Sequence, residues 1–137
     1  MKRDERIAAL ARVPLFSGAD RKTLRSVEAM LHERTFEADS TMAEEGEQGV
    51  CFFVIESGEA EVSVSGKSVR RLGPGDHFGE LALLNEGRRT STVRALTTMH
   101  CFTIDGWDFR PLVKANPDLS WGLLEGLAKQ VVGDAET

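Results

Sequence analysis

The chain has 137 residues, 41% of them hydrophobic and 28% charged, with 17 Lys+Arg against 22 Asp+Glu for a net charge of −5. That balance excludes a disordered chain and argues against sequence-independent nucleic-acid binding, whose affinity comes from accumulated cations. It predicts one globular domain over residues 1–137, large enough to bury a core without staples.

The opening "MKRDERIAALARV" is a charged amphipathic stretch rather than a signal peptide, and no window nears the roughly 18–20 apolar residues of a membrane span. A cytoplasmic chain with no membrane segment is expected. Ile7, Leu10 and Ala11 fall at helical spacing, and Pro14 ends that helix. Ser17, with Asp20 three residues on, is a weak capping signal for a second helix that carries Leu24, Val27, Met30 and Leu31 on one face. These two helices fill residues 1–32.

From 33 to 104 the pattern becomes that of short strands at turn spacing. "EEGEQG" is an acidic loop, and "VCFFVI" reads as a strand buried on both faces. "EAEVSVSG" alternates, with Val62 and Val64 inward, and Gly66-Lys67 makes a hairpin turn. "GPGD" is a further turn, with Pro74-Gly75 at its centre. "TSTVRAL" and "MHCFTI" supply two more strands. Roughly eight antiparallel strands predict a mainly β fold, a jelly-roll-like β-roll barrel with flanking N- and C-terminal helices. Cys51 and Cys101 lie in apolar runs without CxxC spacing, so they read as small buried hydrophobes, with no metal signature. Residues 105–137 return to helix. Asp105 caps a first one to about Lys114, burying Trp107 and Leu112, and Asn116-Pro117 starts a second. Leu119, Leu123, Leu124, Leu127 and Val131 form its apolar stripe, weakened by Gly122 and Gly126.

The stretch with chemistry in it is "FGELALLNEGRRTSTVRA". "GELALL" predicts a helix of one to two turns, opened by Gly79, with Leu81 and Leu84 on its apolar face. Free N–H groups at such an end attract anions, and glycine lets a ligand approach the backbone. Alone, Glu80 reads as a first-turn carboxylate, Arg89 as a surface or ion-paired cation, and Thr90 as a strand residue. Behind Gly79, the helix N–H groups and a returning Arg89 make a cradle for one phosphate, beside which Glu80 is unfavourable unless it accepts a hydrogen bond from the same ligand, for example from a sugar hydroxyl. Other motifs fall away. "SGKS" lacks the upstream glycine of a phosphate loop and is a hairpin turn. "RRTS" would be a poor kinase substrate inside a strand. His32, His77 and His100 form no H-x-H pair, His77 with Glu80 is too little for a metal, and no nucleophile–base set suggests an enzyme.

"GDHFGELALL" followed by "RRTSTVRA" resembles the phosphate-binding cassette of cyclic nucleotide-binding domains, found in catabolite-activator-type transcription factors, protein kinase A regulatory subunits and cyclic nucleotide-gated channels. The resemblance runs over roughly residues 14–131 and includes "VPLFSG", "FFVIESGEAEV" and "LGPGDHFGE". It implies a cassette at 78–91 whose site residues are Phe78, Gly79, Glu80, Leu81, Ala82, Arg89 and Thr90. Backbone N–H groups of the short helix would hold the cyclic phosphate of cAMP or cGMP, Glu80 would accept from the ribose 2′-OH, and Arg89 would pair with the exocyclic oxygens. Arg88, where many members have proline, would face solvent. Thr90 resembles the threonine of hyperpolarisation-activated channels, whose hydroxyl can reach the 2-amino group of a syn guanine. Trp121, Leu124 and Lys129 are candidates to touch the base.

The function this implies is regulatory sensing, through movement of the helices after Asp105. With under 35 residues beyond the β region, no helix-turn-helix is visible and no direct DNA binding is expected. The output would come from a regulated protein partner or a missing output domain, and the C-terminal stripe leaves room for a homodimer. The rival is a ligand-free domain of the same fold that serves dimerisation or docking; it would lack the cassette's arginine or glutamate.

Overall fold

The computed structural model describes residues 2–84 and 87–136, with side chains described as far as Gly133. Contacts divide the chain into two compact units: residues up to 29 together with those from 111 onward, and residues 30–110.

The first unit is helical and joins the two ends of the chain. α1 (Arg3–Ala11) buries Ile7 and Leu10 but leaves Ala11 exposed. A 3₁₀ turn (Pro14–Phe16) follows, then α2 (Arg21–Met30), which stops before Leu31. Its N-terminus is capped by Asp20, whose Oδ1 accepts from the Thr23 amide at 2.8 Å, while the Ser17 hydroxyl turns back to the Pro14 carbonyl. The expected α2 face holds Leu24 and Val27, and beside them the buried Glu28. Glu28 takes the Arg6 guanidinium at 2.6 Å and Arg3 at 3.5 Å, clamping α1 to α2. α5 (Pro117–Glu136) begins at the predicted proline, with Asn116 in the cap and Leu119 and Leu123 buried. Leu124 and Val131, expected in the same stripe, are more than half exposed.

The second unit is built of two antiparallel four-stranded sheets. One has the order β1 (His32–Phe36), β8 (Met99–Asp105), β3 (Cys51–Ser57), β6 (His77–Phe78); the other is β2 (Thr41–Ala43), β7 (Thr92–Ala95), β4 (Ala60–Val64), β5 (Lys67–Leu72). Phe53, Ile55, Phe78, Met99 and Cys101 from the first meet Ala43, Ala60, Val62, Val93 and Ala95 from the second in one core cluster. The expected antiparallel roll is present, but the sheets do not close into a barrel: among the described residues strand pairing stays within each sheet. Ser65 and Gly66, both at positive φ, form the β4–β5 turn one residue earlier than expected. That leaves Val64 at the strand end, where it is 38% exposed.

α3 (Glu80–Leu84) interrupts the β region, and α4 (Gly106–Ala115) follows it. α4 buries Phe109 and Leu112, whereas Trp107, expected inside, is 74% exposed. The Asp105 carboxylate faces His32 Nε2 at 3.2 Å. Pro111 lies within α4, where it offers no N–H to the carbonyl one turn back. The chain passes from one unit to the other there.

Candidate functional site: the corner between β6, α3 and Arg89

Gly79 sits between β6 and α3 with φ +100, a conformation open to glycine and strained for other residues. A Cβ there would lie 2.6 Å from Nη1 of Arg89 and 2.9 Å from the Cys51 carbonyl oxygen. The corner is therefore closed around an arginine. At five residues α3 has little more than one turn, so backbone amides are what it can offer. Its buried face is Glu80, Ala82 and Leu83, while Leu81 and Leu84, expected inward, are each 38% exposed. Intervals of three and four allow either face; contact with the β unit selects the one that includes Glu80.

Arg89 arrives pinned by its backbone, its N–H donating to the Glu47 carbonyl at 2.7 Å and its own carbonyl accepting from Gly46 at 2.9 Å. The side chain turns inward to 9% exposure. Nη1 donates to the Gly79 carbonyl at 3.1 Å and Nη2 to the Cys51 carbonyl at 2.7 Å. The guanidinium also lies 5.7 Å from the Phe53 ring centroid. Among the described residues no carboxylate forms an ion pair with it. Burial pushes its pKa below the ordinary value, against the opposing pull of Cys51 and Glu80. Arg88 goes the other way, exposed, with Nη1 donating to the Gly46 carbonyl at 2.8 Å. The two neighbouring cations thus point apart, Arg89 inward and Arg88 outward.

Glu80 is 6% exposed, and its Oε2 has no hydrogen-bond partner among the described residues. Phe78 stacks flat on Phe53, with centroids 4.4 Å apart and planes within 7°, so its ring supports the corner from the core. Ala82 is buried and Thr90 exposed. A cleft of about 250 Å³ opens beside α3, lined by Gln48, Gly49, Ala82, Leu83, Trp107 and Arg110 among others.

Three contributors escaped the sequence reading. A Cβ on Gly49 would lie 2.5 Å from that of Ala82 and 3.0 Å from the Arg89 guanidinium, yet in the sequence Gly49 only ends an acidic loop. The Cys51 carbonyl carries no side-chain signal. His77, set aside with the other histidines, stands 3.5 Å from Glu80; its spacing of three from the glutamate was the available clue. Among the described residues no cluster of three or more His, Cys, Asp or Glu could hold a metal, and no helix is long and apolar enough to cross a membrane.

Residues 33–116 match the family model described as the cyclic nucleotide-binding domain. An uncharacterized protein of Mycobacterium tuberculosis is 43% identical over 108 residues, which is 77% of this chain and 19% of that protein. The cAMP-dependent protein kinase regulatory subunit of Schizosaccharomyces pombe is 38% identical over 111 residues, covering 80% of this chain and 27% of the subunit. This chain therefore spans under a third of either relative. Among solved structures, cAMP-bound PfPKA-R superposes with a TM-score of 0.89 at 26% identity, over 98% of this chain and 47% of that one. The Catabolite Activator Protein of Thermus thermophilus, at TM-score 0.79 and 24% identity over 90% of this chain and 61% of that one, shares the fold.

Proposed function

This chain belongs to the cyclic nucleotide-binding domain family, and on that footing we propose that it binds a cyclic nucleoside monophosphate, cAMP or cGMP, at the β6–α3 corner and acts as a regulatory sensor. The observation that carries the reading is the state of Arg89. A guanidinium at 9% exposure whose hydrogen bonds go to two neutral carbonyls has lost much of its hydration and gained no counter-charge among the described residues. Such a group costs free energy unless an anion is supplied. The carbonyls fix its plane and leave its other N–H donors for phosphate oxygens.

The cyclic phosphate sits between Arg89 and the leading amides of α3, with Gly79, Leu81 and Ala82 as the wall. Glu80, buried at 6% exposure in the same corner, accepts from the ribose 2′-OH through one carboxylate oxygen, which relieves the objection to a carboxylate beside a phosphate. Thr90 lies on the purine side, where its hydroxyl favours guanine. Relatives named for cAMP-dependent kinase regulation and a cAMP-bound structural neighbour support the ligand class. Occupancy is read through the helices that follow Asp105, beginning with α4, by as much as the ligand's affinity differs between the two helix arrangements. The role is regulation of a partner protein or of an output region elsewhere in a longer chain, in the cytoplasm and without chemistry on the nucleotide.

Thermal melting with and without nucleotide tests the reading. Ligand at 100 times its dissociation constant adds about 2.7 kcal/mol, which raises the midpoint by roughly 6–15 °C for a chain of this size. No rise with either cAMP or cGMP would favour the ligand-free docking domain.

A further inference from the structure

Beside Arg89 lies a second unsettled pair. Among the described residues, Nδ1 of His77 and Oε2 of Glu80 are both buried and both without hydrogen-bond partners, and they face each other at 3.5 Å. Their side chains are 20% and 8% exposed. The His77 ring also lies tilted against Phe52 at 5.3 Å, and Phe52 in turn lies against Phe109 at 4.6 Å. A carboxylate oxygen removed from water needs a donor. Arg89 acts on Glu80 through its charge but makes no ion pair with it, and among the described residues the imidazole of His77 is the group that faces Oε2. With its proton on Nε2, His77 would set one lone pair against another. With the proton on Nδ1, it donates after a small shift.

We propose that His77, in its Nδ1–H form, is a positioning residue that holds Oε2 of Glu80 and thereby aims the other carboxylate oxygen at the ribose 2′-hydroxyl, so that His77 sets the preference for ribo- over 2′-deoxyribo-nucleotides. The inference rests on the proposed binding function and adds to it a residue outside the cassette. The donor fixes one oxygen so that the carboxylate need not be ordered when ligand arrives, and preorganisation of this kind raises affinity without a new ligand contact. Its effect must therefore appear only with ligands that bear the hydroxyl.

The test is a titration of the wild type, His77→Asn and His77→Phe with whichever of cAMP and cGMP binds tighter, and with its 2′-deoxy form. Asparagine retains an N–H near the place of Nδ1; phenylalanine keeps the tilted ring contact with Phe52 and removes the donor. The wild type should prefer the ribonucleotide by roughly tenfold or more. His77→Phe should lose about 3- to 10-fold on the ribonucleotide and under about twofold on the deoxy form, and His77→Asn should recover most of the loss. Equal losses on both ligands, or none on either, overturn the inference while leaving the binding function intact. A wild type that binds neither ligand overturns both. Should His77→Phe fail to fold, ¹⁵N-imidazole spectra of the ligand-bound wild type decide: a proton on Nδ1 supports the proposal, and a neutral Nε2–H ring contradicts it.

Discussion

At Arg89 two carbonyl oxygens, from Gly79 and Cys51, orient a buried guanidinium that pairs with no carboxylate among the described residues. Thr90, next in the chain, is exposed, and its proposed hydrogen bond to guanine is worth about one neutral bond. Thr90→Ala should weaken cGMP by about 1 kcal/mol and leave cAMP unchanged; equal effects on the two, by calorimetric titration, would remove the selectivity role. In the helical unit, Asp20 illustrates pH dependence at a single residue. The hydrogen bond from the Thr23 amide lowers its carboxyl pKa below the ordinary value. The unfolded chain then binds that proton more readily, so the contribution of Asp20 to stability is complete above the ordinary aspartate pKa and is lost as pH falls through the lowered one. Asp20→Asn keeps an acceptor in the cap but cannot titrate. In urea melts at about pH 5 and about pH 3, it should lose less stability on acidification than the wild type; identical losses would mean the cap carries no acid dependence.

Elements differ in how plainly the sequence announces them. α5 was legible because Asn116-Pro117 is a start signal whose chemistry is local. Its buried stripe was only half legible: Leu119 and Leu123 are covered while Leu124 and Val131 are not, since periodicity marks apolar positions and not which of them meet a neighbour. The same ambiguity misassigned the face of α3. Two glycines of α5 separate intrinsic propensity from packing. A Cβ at Gly126 meets nothing within 4 Å, whereas one at Gly122 comes to 3.2 Å from the Leu15 carbonyl oxygen. Gly126→Ala should stabilise the chain by about 0.8–1.0 kcal/mol, and Gly122→Ala by clearly less, as measured by thermal melts; the reverse order would contradict the packing of α5 on the 3₁₀ turn. At the β6–α3 corner, Gly79→Ala introduces both a strained φ and a clash with Arg89. It should cost about 1–3 kcal/mol of stability and nearly all nucleotide binding.

For the whole molecule, the division of labour was readable and the assembly was not. Strand spacing, turn residues and the cassette motif pointed to a roll with helices at either end, because these signals are local in sequence. That residues before 30 and after 110 form one unit depends on contacts such as Thr23 with Asn116, which no local pattern encodes. Nor does one encode that the two sheets remain unclosed. The candidate site was legible where side chains build the corner, at Glu80 and Arg89, and hidden where a backbone carbonyl or a missing Cβ does, at Cys51 and Gly49. If the inward guanidinium of Arg89 is a seat for a cyclic phosphate, calorimetric titration of cAMP and cGMP into the wild type and Arg89→Gln will show it. The wild type should bind at least one nucleotide saturably, and the variant should bind it more weakly by about 2–5 kcal/mol, or roughly 30-fold to several thousand-fold. Equal affinity in the two proteins would contradict that role of Arg89.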